Sequence, residues 1–127
     1  MLLIREQPLT TLRIVNDAFS HLPVANRRDR QISSNLAPLY KNRAKAEYRL
    51  GFDAESEADA KTSLEFNSTA ASAYCILGEI YAKRKQDEKA NAAWEQVRAF
   101  SFDHEGVPRT EPDCILLAEE KSHEANR

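Results

Sequence analysis

The residue that most limits what this chain can become is Gly78. It stands inside segment 71–85, where Tyr74, Leu77, Gly78 and Tyr81 recur at i, i+3, i+4 and i+7, the spacing of one helix face. A glycine in a helix interior costs up to about 1 kcal/mol against alanine. It belongs there only if a neighbouring helix must approach the backbone closely. A partner stripe follows in Ala90, Trp94 and Val97, and Trp94 has the bulk to fill the space over Gly78 and Leu77. Between the stripes, 83–88 is wholly polar. Two antiparallel helices joined by a short turn satisfy all of this.

Composition extends the all-α reading to the whole chain. The 127 residues are one domain's worth, and they include only 3 Gly and 5 Pro. With 42% hydrophobic and 30% charged residues, collagen-like, low-complexity and wholly disordered classes are excluded. A net charge of −2 argues against a dedicated nucleic-acid binder. The apolar start Leu2-Leu3-Ile4 is stopped by Arg5 and Glu6, so it is neither a membrane span nor a signal-peptide core. The expected location is the cytoplasm, without a membrane partner. Cys75 and Cys114 cannot make a disulfide framework and are read as reduced, small and mostly buried.

The set Tyr74, Leu77-Gly78, Tyr81, Ala90 and Trp94 resembles the tetratricopeptide repeat, whose period is about 34 residues. One period earlier stands Tyr40, again the aromatic of a helix start. The resemblance covers 71–104 closely and 37–70 in degenerate form. In the earlier copy Ala44 stands for the glycine, Arg43 for the leucine, Ser56 for an alanine and Ala60 for the aromatic. Ser68 and Phe102 occupy the place of the usual closing proline. The fold implied is a right-handed superhelical stack of antiparallel helix pairs.

Within 37–70 the expected helices are 38–50 and 53–66. Gly51 is the stop of the first, and Asp53 is the N-cap of the second, with Glu55 and Glu57 in its first turn. Asn67-Ser68-Thr69 is expected to cap a helix beginning near 70. Segment 6–36 divides into an N-terminal helix and a basic connector. The helix, 8–22, carries Leu9, Leu12, Val15, Ala18 and Phe19 and looks like the second helix of an earlier repeat. The connector holds Arg27, Arg28 and Arg30, and is either a loop or an extension of the next helix. After the break at Gly106-Val107-Pro108, segment 111–124 is read as a capping helix bearing Cys114, Ile115, Leu117 and Ala118.

Nothing in the chain assembles an enzyme. The three glycines are isolated, so no phosphate-binding loop exists. His104, Cys114 and His123 fit no zinc-ligand spacing, and Asp17 with His21 reads as a surface helix pair. Lys41 and Lys83 could activate Cys75 if they were near it, but a packed thiol is the better reading. No catalytic residue, cofactor or metal is expected.

Charge is distributed unevenly. Segment 27–49 carries +5 and segment 53–66 carries −4, which solvated helix faces can also produce. The resemblance implies that first helices line a groove that takes a partner segment. Its positions here are Lys41, Asn42, Lys45, Tyr48 and Arg49, then Cys75, Glu79, Ala82 and Lys83, with Ile76 alongside. Repeat packing falls to Tyr40, Tyr74, Leu77, Gly78, Tyr81, Ala90 and Trp94. Four bases and one acid leave this groove at +3, suited to an acidic protein or peptide segment. Lys45 and Ile76 replace the asparagines of the chaperone-binding carboxylate clamp, which argues against that use. The expected function is therefore protein–protein interaction. Self-association as a homodimer through the N-terminal helix is the alternative. RNA binding through 27–49 ranks below both, because Tyr40 and Tyr48 are the only aromatic platforms there.

Overall fold

A computed structural model describes residues 2–21 and 30–125. Every regular element among them is a helix: α1 (Leu2–Ser20), α2 (Arg30–Arg49), α3 (Asp53–Phe66), α4 (Ala71–Lys83), α5 (Asp87–Phe100) and α6 (Pro112–Ala125). They form two compact units, Met1–Ser68 and Thr69–Arg127. Neighbouring helices pack on one another: α2 on α1 and α3 in the first unit, α5 on α4 and α6 in the second.

Both units are built on the same antiparallel pair. In the first, Tyr40 near the start of the α2–α3 contact stacks on Phe66 at the end of α3, with centroids 5.8 Å apart. In the second, Tyr74 stacks on Phe100 at 6.1 Å. The second pair is the first advanced by 34 residues, the same step that separates the starts and the ends of α3 and α5. The turns match as well. Phe52 N–H reaches Glu47 C=O and Gly51 N–H reaches Tyr48 C=O; Gln86 N–H reaches Tyr81 C=O and Lys85 N–H reaches Ala82 C=O. This is the Schellman closure, which needs a left-handed residue at its corner. Gly51 supplies it at φ 86°, and Lys85 at φ 62°.

The interiors of the pairs differ. In the second unit Leu77, Gly78, Ile80, Tyr81, Ala90, Trp94 and Val97 are buried. A β-carbon on Gly78 would meet the indole of Trp94 at 2.8 Å, so the glycine is what lets the ring lie on the helix backbone. In the first unit the equivalents of Gly78 and Trp94 are Ala44 and Ala60, both fully buried. Here polar groups fasten the helices. Ser56 Oγ donates to Ala44 C=O at 2.6 Å and Ser63 Oγ to Ala37 C=O at 2.8 Å, so neither buried hydroxyl is left unsatisfied.

Several expectations about helix ends require correction. α2 starts at Arg30 rather than 38, so of the two readings of the connector the helix extension holds for 30–36. Pro38 lies inside α2 and Pro8 inside α1, although proline is commonest in a first helical turn. Arg27 and Arg28 lie outside the described residues. The N-cap of α3 is Phe52, not Asp53, and that of α4 is Ala70, not a residue of 67–69; neither makes a side-chain capping bond. Asn67 instead closes α3, its N–H on Ser63 C=O. Asp53 and Glu55 do stand in the first turn of α3, where carboxylates favour the helix dipole.

A cationic cleft between α1 and α2

α1 runs antiparallel to α2. Phe19 packs on Tyr40 with centroids 4.6 Å apart, and Asn16 Oδ1 accepts from Arg43 Nη1 at 3.2 Å. Toward the other end of the pair the helices bound a cleft of about 290 Å³. Pro8 and Thr11 line it from α1, and Asn42, Lys45, Ala46 and Arg49 from α2. The α2 residues fall at i, i+3, i+4 and i+7, so helical periodicity alone puts them on one stripe. Buried Pro8 and Ala46 give the cleft apolar wall, while Lys45, Arg49, the Asn42 amide and the Thr11 hydroxyl supply hydrogen-bond donors. Lys45 and Arg49 are like charges four residues apart, which disfavour each other by a few tenths of a kcal/mol, about 0.2–0.5.

Of the positions expected to contact a partner, Asn42, Lys45 and Arg49 thus converge. Lys41 and Tyr48 are half-buried on α2 but do not line the cleft. Glu79 and Lys83 belong to α4 in the second unit.

Within the α2–α3 interface lies a part-buried ionic cluster that sequence reasoning missed. Arg43 grips Asp59 with two bonds, Nε to Oδ2 at 2.7 Å and Nη2 to Oδ1 at 2.9 Å. Its guanidinium also lies over the Phe19 ring, 4.4 Å from the centroid. Hydrogen bonding to Asp59 raises the Arg43 pKa, opposed by its burial. Glu47 is buried in the same cluster, and one of its oxygens, Oε1, has no hydrogen-bond partner. Loss of water pushes the Glu47 carboxyl up to about 8, helped by a hydrogen bond with Asp59 and by its charge. The shift favours the protonated carboxyl, the form that can donate to Asp59. The repeat offset carried the signal: Arg43 and Asp59 occupy the places of Leu77 and Ala93, which are buried in the second unit.

Cys75 and Cys114 are bonded to each other, with Cα atoms 6.1 Å apart. This overturns their reading as reduced thiols. It also removes Cys75 from the groove and as a candidate nucleophile, and Cys114 from any zinc set. A separation of 39 residues gives no spacing signal for the pairing. His104 is exposed beside Glu105, and the side chain of His123 lies outside the described residues. Asp17 and His21 form an exposed pair at 4.0 Å. Among the described residues no group of three His, Cys, Asp or Glu could hold a metal, and no helix is long and apolar enough to cross a membrane.

No protein-family model matches the chain, and no curated protein matches it.

Proposed function

We propose that this chain is a short tetratricopeptide-like array that binds an acidic segment of a partner protein, without catalysis of its own. The observation that carries the binding proposal is the convergence of Asn42, Lys45 and Arg49 with Thr11 in one cleft with apolar wall. Carboxylate side chains of an extended peptide would meet two cations and two neutral donors there, while the peptide's apolar atoms would cover Pro8 and Ala46. The repeat reading is supported by the Tyr40–Phe66 and Tyr74–Phe100 stacks and by turns that recur at the same offset. α1 takes the part of a second helix before the first pair, and α6 that of a first helix after the last.

The test is fluorescence anisotropy with a labelled Glu/Asp-rich peptide panel and matched Gln/Asn versions. Binding of the acidic peptides should fall at least about tenfold in K45E/R49E, the loss of roughly 1.4 kcal/mol or more. K61E should retain it, since Lys61 is exposed on α3 and pairs with Glu57. Equal losses in the two variants reject the cleft.

A second reading is self-association through α1, which leaves Leu9 and Ile14 exposed. Light scattering over a concentration series decides it, and a monomer at the highest concentration removes it.

A further inference from the structure

We propose that the Cys75–Cys114 bond is a redox-operated clamp that determines whether α6 remains docked on α4. The contact between these helices is one turn deep on each side. Ser72 and Cys75, three residues apart on α4, meet Glu111 just before α6 and Cys114 in its first turn. Ser72 Oγ lies 2.7 Å from Thr110 Oγ1 and donates to Glu111 Oε2 at 3.0 Å; the sulfur bond is the next contact along. Beyond it α6 turns to α5, where Arg98 Nη1 donates to Ala118 C=O at 3.1 Å. Among the described side chains of α6, Cys114 and Ala118 are buried, Ile115 and Leu117 are half-buried and Leu116 is 63% exposed. Residues 104–109, which lead into the helix, are exposed throughout.

A terminal helix whose fully buried side chains are small, preceded by an exposed connection, belongs to the low-stability end of a fold and opens locally before its neighbours do. That opening is also the route to the sulfurs, because Cys75 and Cys114 are 8% and 6% exposed when α6 is docked. The reductant is a low-molecular-weight thiol. Its thiolate attacks one Sγ, the S–S bond breaks, and the other cysteine leaves as a thiolate that takes up a proton. A second thiol resolves the mixed disulfide. The sum is one protein disulfide and two small thiols giving two cysteine thiols and one small disulfide, a two-electron exchange that runs backward under an oxidised pool. Once reduced, α6 keeps its Ala118 and Arg98 contacts but loses its covalent hold on α4.

The experiment uses the full chain in buffers of reduced or oxidised glutathione. Acid quench, alkylation and intact mass count the thiols, and hydrogen exchange reads 110–122 against 37–66 as reference. Under oxidised glutathione, neither cysteine should alkylate and 110–122 should be protected. Under reduced glutathione, both should alkylate and exchange across 110–122 should rise at least tenfold, with 37–66 and 87–97 unchanged. C75A/C114A should exchange rapidly in both buffers. Four results overturn the proposal: a bond that survives reduced glutathione, thiols that stay unpaired under oxidised glutathione, reduction without faster exchange in α6, or reduction that deprotects 87–97 together with α6. The wild-type measurement stands even if the double variant fails to fold.

Discussion

The indole of Trp94 lies so close to the backbone at Gly78 that a β-carbon there would be 2.8 Å from Cε2 and 2.9 Å from Cδ2 and Cζ2. The ring is 2% exposed, so it is enclosed and cannot swing into solvent. G78A should therefore destabilise the second unit by about 1–3 kcal/mol, outweighing the gain of up to about 1 kcal/mol from alanine's helix propensity. Urea unfolding followed by Trp94 emission measures it. In a W94L background the same substitution should be neutral or stabilising, because the ring it strikes is gone.

Lys85 holds the left-handed corner that Gly51 holds in the first unit. A β-carbon in that conformation costs roughly 1–2 kcal/mol, partly offset by the greater freedom glycine has when unfolded. K85G should raise the stability of the second unit by about 0.5–1 kcal/mol. A lowered urea midpoint would show that the corner is not strained.

Arg43 and Asp59 form a part-buried pair in places that hold Leu77 and Ala93 one repeat later. R43L strands the Asp59 carboxylate in the interface and should cost about 3 kcal/mol. R43L/D59A removes the stranded carboxylate and should recover part of that loss, staying below wild type because buried Glu47 then loses its Asp59 partner. Far-UV circular dichroism in urea measures both variants, and a double variant no better than R43L rules out the stranded carboxylate as the cause.

Glu47 gives the first unit a pH dependence of definite sign. Its folded value of about 8 lies above the unfolded value of 4.5, so between these the folded chain holds a proton that the unfolded chain has lost. Stability should fall as pH rises from about 4.5 to about 8 and then level off. E47Q, whose amide can still donate to Asp59, should flatten this slope and be more stable at pH 8 by about 1–2 kcal/mol. Urea midpoints at pH 5, 6, 7 and 8 test it; parallel slopes would show that Glu47 does not carry the dependence.

The parts of the fold that repeat were legible in the chain. Tyr74, Gly78 and Trp94 fix a close helix pair by spacing and size, and Tyr40 signals another at the same step. The cleft was legible in part, because 42, 45 and 49 share a helical stripe, but the contribution of Pro8 and Thr11 from α1 needs the three-dimensional packing. The starts of α3 and α4 fall where expected, but the cap of α3 was misassigned for a specific reason. Polar capping residues are available at Asp53 and 67–69, yet the Schellman turn after α2 fixes the chain's path and delivers Phe52 to the cap. Two features were invisible locally. An Arg and an Asp sixteen residues apart look like two surface charges until helix packing encloses them. Cys75 and Cys114 become partners only when α6 folds back along α4.

Trp94 is the chain's one tryptophan, and it lies in the second unit. Emission spectra consequently sense Thr69–Arg127 from inside, whereas calorimetry sums the heat of every helix. The first unit encloses alanines, serines and ionisable groups around Arg43, and polar burial lowers the heat-capacity increment of unfolding. Subtracting the Trp94 transition from the calorimetric trace should leave a shallower thermogram, the heat of an ionic interior that the indole does not report.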